Sequence, residues 1–432
     1  MVKPITIIGG GLAGCEAAWQ IARRGFPVRL WEMKPLRFSP AHKSPLLAEI
    51  ICSNSLGSNA PNSASGLLKA ELRQLRSLIV AAADASAVPA GGALAVERGA
   101  FSQAVEAQLS QFSHLEILRQ EVEDIPRESL LIIAAGPLCT ETLAQNISSL
   151  TGAEHLFFYD AIAPLVEGES LDKSTMFWAN RRSDDKDYLN IPLTKDQYEG
   201  FYRELLAAKV VDPHPFEEQH YFESCLPIEV LAARGRDTLR FGPMKPVGLV
   251  EPTSGQQPYA VVQLRKEDKE GRLFNIVGFQ TKLTWSEQKR IFTLLPGMEN
   301  VTFARLGSLH RNTFINSPLL LEPNLSLREY PQILFAGQLL GVEGYMESTA
   351  MGLLAGINAL AIARGKSILP PPPTTAMGAL IKHVTTKTKN FQPMNINFGI
   401  LPPLPHKVPK KERGERYSAR ALAALSEWMP VD

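Results

Sequence analysis

Short apolar segments that end in glycine or small residues recur along the chain and predict a parallel sheet. The first is Ile5-Thr6-Ile7-Ile8, and the helix-like run 15–21 follows it. Similar buried-strand patterns occupy residues 27–31, 130–136 and 333–337. Continuous apolar runs of this length are typical of strands that are covered on both faces. We therefore expect an α/β fold whose sheet draws strands from both ends of the chain.

The turn after the first strand carries a glycine pattern with chemical meaning. Its sequence is Gly9-Gly10-Gly11-Leu12-Ala13-Gly14. In a GxGxxG turn between a strand and a helix, the glycines permit the tight turn, the approach of a pyrophosphate and the close packing of the helix. The helix N-terminus then offers N–H groups to the phosphates. Glu32 ends the second strand 18 residues after Gly14, near the spacing expected for a ribose-binding carboxylate.

A second glycine-ended strand, at residues 333–337, bears on which cofactor is bound. It leads into a small-residue helix at 348–356. Two such units suit an extended cofactor, FAD, that runs across the lobe towards its flavin ring, although the second unit taken alone is equally well one more βα unit. The cofactor residues expected outside the first turn and Glu32 are Ala135, Gly136, Gly337, Gln338, Gly344 and Tyr345.

The amino-acid composition changes in the middle third of the chain, and this change predicts an inserted domain. Between about 155 and 300 there are more aromatic and charged residues, with strand-like stretches at 259–264 and 273–277. We expect a discontinuous Rossmann-type FAD-binding domain made of residues 1–155 and 301–432, with an α+β insertion at 156–300. The four prolines at 370–373 predict a stiff connection.

The composition limits the class of protein but does not indicate whether it binds nucleic acid. The chain has 432 residues, of which 45 are basic and 44 acidic, so its net charge of +1 argues neither for nor against nucleic acid. No apolar run approaches the ~20 residues that span a bilayer, and no signal-peptide pattern is present, so we expect a cytoplasmic protein. Its four cysteines lack CxxC spacing, which disfavours a disulfide framework or a metal site.

Basic residues concentrate near the C-terminus. Residues 382–420 hold nine Lys and Arg, opposed only by Glu412 and Glu415. With Phe391, Phe398 and Tyr417 interleaved, this region could bind phosphates and stack on bases. A solvated charged surface explains the same pattern slightly better.

Three longer stretches resemble one family. They are Glu49-Ile50-Ile51-Cys52-Ser53-Asn54-Ser55-Leu56; Tyr221-Phe222-Glu223-Ser224-Cys225-Leu226-Pro227-Ile228-Glu229 with the following 241–249; and Leu309-His310-Arg311-Asn312-Thr313-Phe314 with the following 341–348. Together they resemble the folate- and FAD-dependent tRNA uracil-5 methyltransferases of the TrmFO type, relatives of the GidA flavoproteins. The resemblance runs essentially end to end. Ser224 departs from it, because we expect glycine there.

The resemblance implies a reaction. Methylenetetrahydrofolate donates a one-carbon unit, NAD(P)H supplies electrons through FAD, and the T-loop uridine of tRNA gains a C5 methyl group. Uracil C5 needs a thiolate added at C6, and a second group must remove the C5 proton. We assign Cys225 as the nucleophile and Cys52 as the residue nearest the flavin, acting as base or guarding the adduct. The reverse order stays open. Cys15 and Cys139 are expected to be structural.

The same resemblance implies a folate site. A family histidine stacks on the pterin, and we match that role to His310. Arg311 is expected to pair with an anion such as the folate glutamate tail. His42 is placed beside Cys52, and Lys245 is a weak candidate for phosphate or flavin.

Several alternatives remain open. The same chemistry could act on ribosomal RNA, or a GidA-like RNA-binding flavoprotein could make a different modification, although the long GidA form has a larger C-terminal region. A flavoprotein that only binds RNA has no use for two thiols at a flavin, and a disulfide reductase would need a close cysteine pair. The choice between NADH and NADPH and the oligomeric state stay open.

Overall fold

The structure, a computed structural model, describes residues 2–152, 156–211, 226–367, 369–389 and 391–428. Its strands are β1 (Ile5–Ile8), β2 (Val28–Glu32), β3 (Ser55–Ser58), β4 (Ala87–Val88), β5 (Ala93–Val96), β6 (Leu115–Arg119), β7 (Leu131–Ile133), β8 (Leu156–Ile162), β9 (Leu165–Glu167), β10 (Phe177–Trp178), β11 (Tyr188–Leu193), β12 (Ala260–Lys266), β13 (Leu273–Ile276), β14 (Phe303–Arg305), β15 (Ser308–Phe314) and β16 (Ile333–Phe335).

The helices lie between these strands and, at the C-terminal end, after β16. They are α1 (Leu12–Ala22), α2 (Ala64–Gln74), α3 (Leu78–Ala85), α4 (Arg98–Leu109), α5 (Glu141–Thr151), α6 (Lys195–Ala207), α7 (Ile228–Ala233), α8 (Thr238–Phe241), α9 (Trp285–Phe292), α10 (Ser317–Leu320), α11 (Tyr345–Ala363), α12 (Ala376–Thr385) and α13 (Arg413–Trp428).

A five-stranded parallel sheet organises the first lobe. Its order is β16-β7-β1-β2-β6, so β7 pairs with β1 on one side and with β16 on the other. Every residue of β1, β7 and β16 is buried, as expected for a sheet with both faces covered. The α/β fold class is thus confirmed, and the sheet joins strands that are more than 300 residues apart in sequence.

A second, antiparallel sheet forms an inserted lobe between β7 and β16. Its order is β10-β11-β12-β13-β9-β14, and its strands lie between Leu165 and Arg305. Helices α6, α7 and α9 pack on it around buried aromatic side chains such as Phe201, Phe279 and Phe292. A two-stranded ribbon of β8 and β15 connects the lobes at residues 156–162 and 308–314.

Helices α1 and α11 make the closest helix packing in the first lobe. If Gly352 were alanine, its Cβ would lie 2.2 Å from the Ala13 carbonyl oxygen, and a Cβ on Gly356 would lie 2.8 Å from the Ala17 oxygen. By length and composition alone, the 19-residue helix α11 could cross a membrane, although polar residues interrupt its apolar sequence. Most of it is buried inside the protein against α1, which is the environment of a core helix.

The chain beyond residue 369 holds the loop that leads into α11. Glu343 N donates to the Met394 oxygen (3.0 Å), and Asn395 Nδ2 donates to the Glu343 oxygen (2.6 Å). The Ile396 N–H donates to Glu347 Oε1 at 2.9 Å, within the first turn of the helix. Burial raises the pKa of the Glu347 carboxyl from an ordinary 4.5 to about 7.

Gly352→Ala should destabilise the protein, because its Cβ would collide with backbone rather than with a flexible side chain. Overpacking of this kind costs about 1–3 kcal/mol. The thermal unfolding midpoint should fall. Gly200→Ala in α6 is the matched control, since its Cβ would meet nothing within 4 Å, and should gain up to about 1 kcal/mol. Equal midpoints for the two variants would contradict the proposed close packing.

Glu347→Gln should become stabilising relative to the parent as the pH rises. A carboxyl whose folded pKa exceeds its unfolded value favours folding most below pH 4.5, and the parent loses that stability as the pH rises to about 7. The amide cannot titrate and still offers an oxygen to the Ile396 N–H. The difference in unfolding free energy should grow by about 3 kcal/mol between pH 4.5 and 7 and then stay constant. Urea unfolding at several pH values measures it, with exposed Glu427→Gln as control; a flat difference contradicts the assignment.

Candidate active site

A cleft at the carboxyl ends of the parallel strands gathers most of the residues predicted from the sequence. Its cavity volume is about 330 Å³. The predicted residues that line it are Gly9, Gly10, Gly11, Leu12, Ala13, Glu32, Cys52, Ala135, Gly136, His310, Gly337, Gln338, Gly344 and Tyr345. Carboxyl ends of strands are where open α/β sheets bind their ligands. Gly14, Arg311 and Lys245 do not line the cleft, and Cys225 lies outside the described residues.

The turn between β1 and α1 has the geometry that a pyrophosphate requires. Gly9 has a φ of +106°, and a Cβ there would lie 2.5 Å from the Ala134 oxygen. A Cβ on Gly14 would lie 1.8 Å from the Gly9 oxygen, which explains its packing role. Gly11 caps α1 without any side-chain hydrogen bond, and its Cβ position is open. The N–H groups of this helix end can therefore receive an anion.

A second helix N-terminus opens on the same cleft. Gly344 precedes α11 with a φ of +113° and no side-chain cap, and Tyr345 and Ser348 of the first turn line the cleft. Gly337 faces α1, because its Cβ would lie 3.0 Å from that of Ala13. Two uncapped helix ends on one cleft suit an extended, negatively charged cofactor, as FAD would be.

Glu32 is fixed by backbone donors. Its Oε2 accepts from Gly10 N at 2.8 Å, and its Oε1 accepts from Lys34 N at 2.9 Å. A carboxylate has about four acceptor sites, so these two bonds leave it able to bind a ribose hydroxyl. Lys34 Nζ forms a buried salt bridge with Glu49 Oε2 at 3.1 Å, and both residues line the cleft. No local sequence pattern indicates this ion pair.

Cys52 lies in the loop before β3 and faces the α11 end of the cleft. Its side chain is half-buried, and its backbone N–H donates to the Tyr345 hydroxyl at 2.8 Å. Burial, with Cys52 beside it, raises the pKa of Tyr345, so this phenol is neutral. Cys139 also lines the cleft, with a pKa raised to about 11 by burial, while Cys15 is fully buried beneath Gly10.

The ribbon of β8 and β15 brings polar side chains to the same region. His310 pairs with Asp160 in the strand register, and both line the cleft. Burial and then Arg305 lower the pKa of His310, so its ring is neutral at pH 7, and its Nε2 lies 2.8 Å from Ser308 Oγ. Burial and then Asp160 raise the pKa of Glu343 well above its usual range. The ribbon side of the cleft is thus less charged than its residue types imply.

Strand alternation separates His310 from Arg311. Successive side chains of a strand point to opposite faces. Arg311 is exposed, and its guanidinium lies 3.9 Å from the centre of the Phe157 ring. The structure therefore places Arg311 outside the cleft, on the strand face opposite to His310. His42 does line the cleft, with its Nδ1 2.6 Å from Ser39 Oγ, and burial lowers its pKa.

The aromatic residues of the basic C-terminal region are occupied within the protein. Phe398 and Tyr417 stack on each other with centroids 5.0 Å apart and planes 15° apart, and Arg420 lies over Tyr417. Phe391 is buried against Phe314. One face of Phe398 and one of Tyr417 are thus covered within the protein and Phe391 is buried, while most of the charged side chains around them stay exposed.

Other cleft residues were not selected from the sequence. Asp160, Asn312, Glu343 and Asn395 line it. Asn312 and Glu343 lie within the stretches that carry the family resemblance, so the resemblance could have indicated them. Among the residues that the structure describes, no group of three or more His, Cys, Asp or Glu side chains is placed to hold a metal ion.

Comparisons with known proteins identify the family. Residues 4–367 match the sequence profile of glucose inhibited division protein A. A protein from Syntrophus aciditrophicus named methylenetetrahydrofolate–tRNA-(uracil-5-)-methyltransferase TrmFO is 58% identical, covering 98% of this chain and 97% of its own. One of the same name from Geobacter sulfurreducens is 55% identical over 99% of each chain. The solved structure of Aquifex aeolicus GidA superposes with a TM-score of 0.72 at 17% identity, covering 99% of this chain and 76% of that one, and so shares the fold. The chain belongs to the glucose inhibited division protein A family, as a relative of its TrmFO-type members.

Proposed function

We propose that this protein uses methylenetetrahydrofolate, FAD and NAD(P)H to methylate C5 of the T-loop uridine of tRNA in the cytoplasm. The observation that carries the proposal is one cleft that combines a dinucleotide-type glycine turn with Cys52 and His310. Relatives named for this reaction match nearly the whole chain at more than half identity. A protein that only bound RNA would not need a thiol beside such a turn.

The residues that would hold FAD are those of the two helix ends and Glu32. The start of α1 would bind the pyrophosphate, Glu32 the ribose, and the start of α11 the flavin end. When bound, FAD supplies the electron transfer that reduces the transferred carbon. Gln338 and Glu343, which hydrogen bond to each other, would contact the same end. Because burial raises the pKa of Glu343 and so favours its neutral form, a protonated Glu343 would act there as a hydrogen-bond donor.

The two cysteines would divide the work on the uracil. A thiolate, assigned to Cys225, adds to C6 and makes C5 nucleophilic. After the one-carbon unit bonds to C5, a base removes the C5 proton, and the C6–S bond breaks to release the thiolate. We assign the base to Cys52, which lies in the cleft. Its backbone bond to Tyr345 fixes the loop at the α11 end, where the flavin would lie.

The test is methyl transfer from folate carrying a labelled one-carbon group, with flavin-loaded protein, NAD(P)H and an unmodified tRNA transcript. Cys52→Ala and Cys225→Ala should each lower label incorporation at the T-loop uridine at least about 1,000-fold, as loss of a nucleophile or base does. Cys139→Ala, which removes another thiol from the cleft, should stay within about twofold.

The outcomes separate the candidates. Label in ribosomal RNA but not in tRNA would keep the chemistry and change the substrate. A different product at another uridine would favour a GidA-like modification. No label in any RNA, from protein with a full complement of flavin, would overturn the methyltransferase proposal.

We further propose that His310 contacts the folate pterin and that Arg311 pairs only with an anionic group outside the cleft, such as the folate glutamate tail. His310 is neutral and lines the cleft, whereas Arg311 lies on the opposite strand face. His310→Ala should raise the KM for methylenetetrahydrofolate about tenfold, in the range of lost ring stacking. His310→Phe should keep most of the affinity, and Arg311→Ala should change the KM less than about twofold. A larger effect at Arg311 than at His310 would reverse the assignment.

A further inference from the structure

The loop that carries Cys52 is held by arginines from both lobes. The loop lies between β2 and β3, and its residues 50–54 lie outside helices and strands. A loop of this kind has no ladder of backbone hydrogen bonds, so its carbonyl groups need other partners. Two arginine side chains bind these carbonyl groups, and a third binds side chains of the same loop.

Two of these arginines bind consecutive carbonyl oxygens. Arg98 of α4 donates to the Ile50 oxygen through Nη1 and to the Cys52 oxygen through Nη2 at 3.4 Å. Arg305 of β14 donates to the Ile51 oxygen through Nη1 at 3.0 Å and to the Cys52 oxygen through Nη2 at 3.5 Å. The Cys52 carbonyl thus lies between a guanidinium from the first lobe and one from the inserted lobe.

A third arginine fixes the residues after the cysteine. Arg265 of β12 is buried and donates through Nη2 to Ser53 Oγ at 2.7 Å and through Nε to Asn54 Oδ1 at 2.9 Å. The Asn54 side chain in turn donates to the Val96 and Lys266 oxygens. Both sides of Cys52 are therefore tied to rigid strands or helices.

Salt bridges alone do not compensate the positive charges of the three arginines. Glu267 Oε2 accepts from Arg98 Nε at 2.7 Å, and it is the carboxylate that the described residues place in a salt bridge with these arginines. Burial lowers the pKa of Arg265 and of Arg305, but arginine stays charged in proteins. Arg265 is buried and Arg305 half-buried, and cations in such places are costly unless each finds several acceptors. The acceptors here are groups of the Cys52 loop.

None of the three arginines lines the cleft. The opposite end of the Cys52 backbone is held from the cleft side, where the Tyr345 hydroxyl accepts its N–H. The peptide planes on both sides of Cys52 are thus fixed from opposite directions. Because the guanidinium groups contact the loop and not the lining of the cleft, their hydrogen bonds act on the position of the thiol.

We propose that Arg98, Arg265 and Arg305 are positioning residues for Cys52, and that the inserted lobe, through Arg265 and Arg305, sets where this thiol lies in the cleft. The catalytic part of this proposal rests on the function proposed above. The structural part does not, because the order of the loop can be measured without any methyl transfer. Arg305 is the most informative site, since its planar fork contacts two carbonyl groups that one ammonium cannot serve equally.

The experiment compares Arg305→Met and Arg305→Lys in the flavin-loaded full chain. Arg290→Met is the matched control, an exposed arginine of the same lobe that pairs with Glu204 and Glu287. Hydrogen–deuterium exchange of the amides of residues 50–54 should accelerate about tenfold in Arg305→Met, less in Arg305→Lys, and not in the control. The kcat of methyl transfer should fall about tenfold, with the KM for tRNA and the flavin content unchanged.

The proposal requires both the faster amide exchange and the lower kcat in Arg305→Met. Unchanged exchange at residues 50–54 in Arg305→Met overturns the proposal, and so does faster exchange with an unchanged kcat. If Arg305→Met does not fold, Arg305→Lys decides by the same two measurements. If the parent protein transfers no methyl group, the proposed function is wrong, and the catalytic role of the three arginines is wrong with it. The hydrogen–deuterium exchange result still shows separately whether Arg305 holds the loop.

Discussion

The backbone-to-backbone contact of α1 with α11 is the constraint on which the cleft depends. A side chain at Gly352 or Gly356 would separate the two helices, because the atoms that it would meet belong to the backbone of α1. The close approach lets both helix N-termini open on one cleft at the end of the sheet. Each uncapped end carries about half a positive charge, so the pair forms an anion site before any side chain contributes.

The rest of the cleft is arranged around that positive end. Glu32 and Lys34 bring charges whose partners are already fixed, Glu32 by backbone N–H groups and Lys34 by Glu49. At the ribbon side, burial lowers the pKa of His310 and raises that of Glu343, so it favours the neutral form of both. A ligand with a charged phosphate end and a neutral aromatic end matches this division. The electrostatics therefore agree with a dinucleotide cofactor whose ring system meets a neutral, partly buried partner.

Local patterns predicted the parts of the structure that depend on neighbours in sequence. The glycine turn, the buried strands and the return of the chain at β16 follow from spacing and apolar runs, and the cofactor residues named from them line the cleft apart from Gly14, whose role is packing. His310 and Arg311 are neighbours in sequence, but the alternation of the strand places them on opposite faces, which the motif alone did not indicate. The stacking of Phe398 on Tyr417 depends on α13 folding back, which no local pattern showed.

The held Cys52 loop illustrates what sequence patterns leave out. Arg265 and Arg305 lie 211 to 254 residues along the chain from the groups that they bind. Nothing in the sequence around either residue distinguishes it from a surface arginine. Their role arises only when the inserted sheet and the first lobe have both folded and docked. The chain leaves the first lobe after α5 and returns through β15, so the ribbon that carries His310 also determines where the inserted sheet lies. One docking geometry thus sets the positions of the thiol and of the histidine together, which explains how a cleft built from distant segments can hold both in fixed relation.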